Sequence, residues 1–211
     1  WPAFSSPIVP SARRTPSWQA GIIYWLPGDA IRGNRRGGIV AIHFTDEMNT
    51  LINNALADGA PCLVATASKR GEPGLGLRGS VMAFDGNHLA WWERSKRDGL
   101  EHVLENPRVL VMYRNTKPEV RKTWKIYGTA RVHESGPVRE QVLARTVEPE
   151  LRQDPERKGF AVVVEVDMIT QGNNLLQIKD GLAIPAWVIP TPPPPPPAPA
   201  QAPATPAAPA R

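Results

Sequence analysis

The sequence holds a single cysteine in 211 residues. One thiol excludes an intramolecular disulfide and a cysteine-built metal cage. Cys62 lies in the apolar run "CLVATAS", which predicts a small buried core residue. A reactive thiol would need an accessible, electropositive setting. Histidine is equally sparse. His43, His88, His102 and His133 stand far apart, and none pairs with another at the short spacings of zinc ligands. No apolar run approaches the ~18 residues that cross a bilayer. There is no G-x-S-x-G elbow, no P-loop and no G-x-G-x-x-G. The glycine-rich "GLGLRGS" leads into a strand rather than a helix, so it does not match a dinucleotide fingerprint. Metal-assisted hydrolysis and covalent nucleophilic catalysis are therefore disfavoured, no metal is expected, and no catalytic acid or base is singled out.

A concentrated charge of one sign is missing too. The formal net charge is +5, but the excess sits at the ends. Residues 1–47 carry five arginines against three acids, and Arg211 is the only charge after residue 190. The stretch 48–190 is nearly balanced, with 19 basic and 17 acidic side chains. That balance argues against a nucleic-acid partner. A lone cysteine fits a reducing compartment, and a cytoplasmic location is expected.

Proline is what the chain has in quantity, and it is unevenly placed. The tail "PTPPPPPPAPAQAPATPAAPAR" favours extended polyproline II and forbids helix interiors and sheet ladders. Residues 191–211 are read as a disordered or semi-rigid extension. Residues 1–47, with "WPAFSSPIVPSARRTPS" and "IRGNRRGG", show no consistent period and are read as an ancillary or disordered N-terminal extension. The folded domain is expected to span 48–190.

Within that span the pattern is continuous. "MNTLINNALADG" has helical spacing with a capping glycine. "CLVATAS" reads as a strand and "KRGEPG" as a turn. "LRGSVMAFD" reads as one strand, returning through Asp85-Gly86 into "GNHLAWWE". "DGLEHVLEN" is a short helix that stops before Pro107. "RVLVMYRN" and "KTWKIYGTARVHE" are strands, "GPVREQVLART" a helix opened by Pro137, and "FAVVVEVDMIT" a buried strand. Hairpin-joined strands with few helices predict a mainly β, antiparallel barrel rather than a doubly wound parallel sheet.

One stretch gathers chemistry. In "HLAWWERSKRDG" a strand ends on Trp91 and Trp92 and turns basic around Ser95, Lys96 and Arg97 where a helix begins. Helix-start N–H groups joined by Arg, Lys and Ser form a seat for a phosphate. The two tryptophans point to opposite faces, so one can enter the core while the other faces a planar ligand. Pairing about Asp85-Gly86 is expected to bring residues 78–82 beside 89–93, so that Arg78 reaches the same anion. The alternative is a solvated charge cluster on a loop.

The run from "APCLVATAS" through "LRGSVMAFDGNHLAWWERSKRDGLEHVLENPRVLVMYRN", followed by "WKIYGTARVHESGPVRE" and "FAVVVEVDMI", resembles the FMN-binding split-barrel superfamily that includes pyridoxamine 5'-phosphate oxidase. The resemblance covers roughly residues 48–170. It implies a homodimeric split barrel with FMN at the subunit interface and a flavin-dependent oxidoreductase acting on a small-molecule substrate or electron donor. By position it implies that Arg78, Ser95, Lys96 and Arg97 hold the phosphate. Ser80, Val81 and Met82 would edge the flavin, and Trp91 and Trp92 would lie on the strand beside it. Two departures stand out. Ala83 or Phe84 takes the place of the oxidase's basic residue, and a proline tail takes the place of its pyridoxal-phosphate-binding segment. Vitamin B6 oxidation is therefore not expected. A deazaflavin reductase of the same fold, or a protein that binds flavin or haem without turnover, are the alternatives.

Overall fold

The computed structural model describes residues 42–95 and 97–190 of the chain. Lys96 and the expected terminal extensions, apart from residues 42–47, lie outside the described residues. The elements are α1 (Asp46–Asn53), β1 (Cys62–Ala67), β2 (Pro73–Arg78), β3 (Met82–Ala83), β4 (His88–Glu93), α2 (Asp98–Glu105), β5 (Arg108–Asn115), β6 (Lys122–His133), α3 (Pro137–Arg145), α4 (Glu148–Leu151), β7 (Phe160–Gln171), β8 (Asn174–Ile178) and β9 (Ile189–Pro190). Every pairing is antiparallel except the short contact of β8 with β9. Among the described residues no helix is long and apolar enough to cross a membrane.

The sheet runs β2-β1-β5-β6-β7-β4-β3, with β8 joined to β7. Its two ends are β2 and β3, which are neighbours in the chain and separated by only Gly79, Ser80 and Val81. A sheet whose opposite edges are tied by three residues must curl until those edges meet, because that link can span only ~10 Å. The result is a split barrel: one wall of the curl is crossed by a short link instead of a ladder.

This differs from the single strand expected for "LRGSVMAFD". Arg78 pairs with Cys62 in β1, whereas Met82 pairs with Ala90 in β4. The expected pairing of 78–82 with 89–93 is therefore replaced by a two-residue β3 opposite Leu89 and Ala90. The cause is the turn at Gly79-Ser80. Just before β3, the Ser80 hydroxyl accepts from Trp92 N and donates to Trp92 O, both at 3.1 Å. A side chain thus supplies the ladder bonds that the turning backbone cannot. The strand β2 also starts earlier than expected, at Pro73, within the segment read as a turn.

The core fills the curl. Leu89, Trp91, Val111, Tyr113, Trp124, Ile126, Val164 and Ile169 are buried together with Phe44 and Ile52 from the N-terminal segment and α1. Tyr113 and Trp124 stack at 5.3 Å between ring centroids. Cys62 is buried as expected, and burial pushes its thiol up to about 12. It is a packing residue. A second cluster of Met82, Ala90, Trp92 and Ala161 is capped by Val142 from α3.

Candidate functional site

The end of β2, the end of β4 and the start of α2 converge on one cleft of about 220 Å³. It is lined by Val64, Thr66, Leu75, Gly76, Arg78, Trp91, Glu93, Ser95, Arg97 and Gly99. Arg78 reaches it from the last position of β2. Its guanidinium lies close over two glycines: a Cβ on Gly76 would lie 2.5 Å from Nη1, and one on Gly99 would lie 3.1 Å from Nη2. The first turn of α2 opens beside it, and its N-cap, Arg97, makes no side-chain cap. Helix-start N–H groups without such a cap favour an anion.

The floor of this cleft is a carboxylate. Glu93 ends β4 and is only 4% exposed. Its Oε2 accepts from Arg78 Nε at 2.7 Å and from Trp91 Nε1 at 3.1 Å. Its Oε1 accepts from Ser95 N at 3.1 Å. Arg78, Trp91 and Ser95 are thus brought together, as the sequence pattern predicts, but around an internal anion. Glu93 received no role from the sequence. The signal was a lone acid between a tryptophan pair and a basic run, and its meaning depends on β2 and β4 ending side by side.

The other expected site residues go elsewhere. Ser80, Val81 and Met82 are buried and line a second cleft of about 270 Å³ with Asn53, Arg145 and Val147. Arg145, from α3, donates to the carbonyls of Ala83 at 2.6 Å and Phe84 at 2.7 Å. Its guanidinium lies 5.3 Å from the Phe84 ring centroid. A cation therefore stands beside the two positions where the sequence offers no basic residue, delivered by a helix more than sixty positions away. No local pattern could have revealed it.

Trp92 is the member of the tryptophan pair that packs away from the first cleft, in the second core cluster. Both tryptophans are 1% exposed. Trp92 Nε1 donates to Asp154 Oδ2 at 2.9 Å, the Arg139 guanidinium covers its ring at 4.7 Å, and a Cβ on Gly159 would collide with the indole. Trp91 is the one that lines the first cleft. Arg97 is exposed at the cleft mouth. Arg94, whose side chain points out of the strand end, pairs with Glu150 Oε2 at 2.9 Å.

The fold is similar to that of HupZ from Group A Streptococcus, at 19% identity and a TM-score of 0.50, covering 65% of this chain and 99% of that one. Other similar structures are an FMN-binding protein from Syntrophomonas wolfei subsp. wolfei (11% identity, TM-score 0.49, 59% and 85% covered) and a pyridoxamine 5'-phosphate oxidase-related, FMN-binding protein from Nostoc punctiforme (11% identity, TM-score 0.45, 58% and 78% covered). No curated protein matches by sequence. The family model for pyridoxamine 5'-phosphate oxidase matches residues 44–168, which takes in the curled sheet from Phe44 through most of β7, and on that match the chain belongs to the pyridoxamine 5'-phosphate oxidase family.

Proposed function

We propose that this chain binds a flavin-type cofactor, FMN, and serves as a flavin-dependent oxidoreductase toward a small-molecule substrate or electron donor. The observation that carries the reading is the Arg78 seat: a guanidinium fitted over Gly76 and Gly99, beside the opening turn of α2, in a chain of this family. When bound, the flavin supplies the electron transfer. The protein's part is to hold and orient it.

The residues present fit the phosphate end of FMN. Arg78 is anchored through Nε to Glu93, which leaves its Nη2 edge toward Gly99 and the helix start. Arg97 and Lys96 flank that start in sequence. Charge-assisted hydrogen bonds of this kind contribute roughly 1.5–3 kcal/mol each. In the same reading Ser80, Val81 and Met82 edge the ring, with Arg145 as the nearest cation to that end. A donor set of arginines and helix N–H groups also suits the phosphate of a deazaflavin, so the bound molecule's absorbance and mass identify which cofactor it is.

The test compares FMN with riboflavin, which lacks the phosphate. Arg78→Ala is expected to weaken FMN at least tenfold and to leave riboflavin about as before. The Lys96→Ala/Arg97→Ala double variant should show the same selectivity. Equal loss of both ligands, or of neither, in titrations followed by flavin fluorescence would overturn the assignment of the phosphate seat.

A further inference from the structure

We propose that Glu93 is a specificity-determining residue that weakens the Arg78 cleft toward doubly charged phosphate. The proposal deepens the flavin reading above and rests on it for the identity of the ligand.

Three donors converge on the cleft floor, and one carboxylate takes all three. Arg78 Nε lies 2.7 Å from Glu93 Oε2, Trp91 Nε1 lies 3.1 Å from the same oxygen, and Ser95 N lies 3.1 Å from Oε1. The carboxylate is 4% exposed and Arg78's side chain 23%, so water screens the pair poorly. Their charges cancel. A phosphate docked on the free edge of Arg78 therefore meets a neutral pair rather than a cation, with the Glu93 charge about one side-chain width away.

The arrangement separates two functions that an arginine usually combines. Glu93 fixes where the guanidinium points, which favours any oxygen-bearing group that accepts hydrogen bonds. It also cancels Arg78's share of the charge that would reward a dianion, although Arg97 still lines the same cleft. A phosphate carrying one charge, as in a diester, loses least. A monoester carrying nearly two charges at neutral pH loses most. At a separation of roughly 5 Å and an effective dielectric near 20, one added unit of repulsion corresponds to a change in affinity of roughly two-hundredfold, an upper bound where water reaches the cleft.

Glu93→Gln keeps the length of the side chain and an acceptor for Arg78 Nε while removing the charge. In the full chain, FMN is expected to bind this variant about tenfold or more tightly than it binds wild type, with riboflavin unchanged within about twofold. Unchanged or weaker FMN binding by the folded variant would overturn the proposal, since Glu93 would then be only a clamp. A second measurement needs no variant. Wild-type protein should bind the methyl diester of FMN at least as tightly as FMN itself, and a clear preference for FMN would refute the charge argument. If wild type binds neither flavin, the flavin reading fails on its own, and inorganic phosphate still decides the role of Glu93. Phosphate should then raise the Tm of Glu93→Gln more than that of wild type, and equal shifts would overturn the proposal.

Discussion

Ser80 shows how much a single side chain carries in this fold. Its hydroxyl serves both the N–H and the C=O of Trp92 at 3.1 Å, and the residue is only 2% exposed. Ser80→Ala strands two backbone groups where water has little access, which costs about 1–3 kcal/mol. The expected result is a lower urea midpoint with an unchanged slope, and a midpoint within error of wild type would show that Trp92 finds other partners. The neighbouring residues were unevenly legible in the sequence. Arg78, Trp91 and Ser95 could be gathered from a basic run at a strand-to-helix junction, since that is a local pattern. Glu93 and Arg145 could not. Their roles are set by which chain ends meet in space, and residue type alone does not encode that.

At the scale of elements, the loop from Asp154 to Gly159 holds Trp92 in place and so fixes the end of β4. Asp154 Oδ2 accepts from the Trp92 indole at 2.9 Å and from Gly159 N at 2.9 Å, while Oδ1 accepts from Lys158 N at 3.1 Å. Burial pushes the Asp154 carboxyl up, but the N–H of Gly159, the indole of Trp92 and the N–H of Lys158 outweigh it, so its pKa lies below the usual aspartate value. A depressed folded pKa means stability that is fully present above the unfolded value near 3.8 and is lost as pH falls through the folded one. Asp154→Asn should therefore lower the Tm at neutral pH, and the gap to wild type should close in strong acid. A gap that stayed constant down to pH 2 would count against this account. The strands β5 and β6 were legible because each alternates along its length, α2 because it has an apolar face and stops at Asn106-Pro107, β7 because it is a long apolar run, and α3 because Pro137 opens it. The β2–β3 break was not. Alternation continues through Leu77, Gly79 and Val81, so a turn inside the pattern reads as an unbroken strand. The strand β8 is only five residues long and follows a Gly172 in the left-handed region at φ 61°, a hairpin signal too short to stand out.

For the whole molecule, the apolar strands β5, β6 and β7 spend most of their surface on the chain's own core. Among the described residues the most exposed large apolar side chains are instead Leu75 and Leu77 on the edge strand β2 and Leu104 on α2, at 72%, 63% and 61% exposure, with Ile189, Trp187 and Leu182 exposed near the C-terminal end. An exposed apolar edge is a pairing surface, and a second copy of the chain is the proposed partner. Leu77→Asp should then shift sedimentation of the flavin-bound protein from dimer to monomer, and an unchanged species would place any interface elsewhere. The N-terminal limit of the folded unit yields a sharper test. The boundary expected before Met48 falls inside α1. Upstream of it, Phe44 is 1% exposed and its N–H bonds Gly86 O at 2.8 Å. His43 exchanges two hydrogen bonds with the Gln177 side chain, at 2.9 and 2.8 Å. Thr45 caps α1 by accepting from Met48 N at 3.2 Å. Losing a buried phenylalanine costs about 3–5 kcal/mol and losing an N-cap about 1 kcal/mol, against a total stability of about 5–15 kcal/mol. A chain of residues 42–190 is therefore expected to unfold at the same urea concentration as the full sequence. A chain of residues 48–190 should unfold at a much lower one or fail to fold, because six residues remove a core aromatic, a helix cap and a tie to β8 together. Equal midpoints for the two shortened chains would mean that Phe44 contributes nothing to the core it enters.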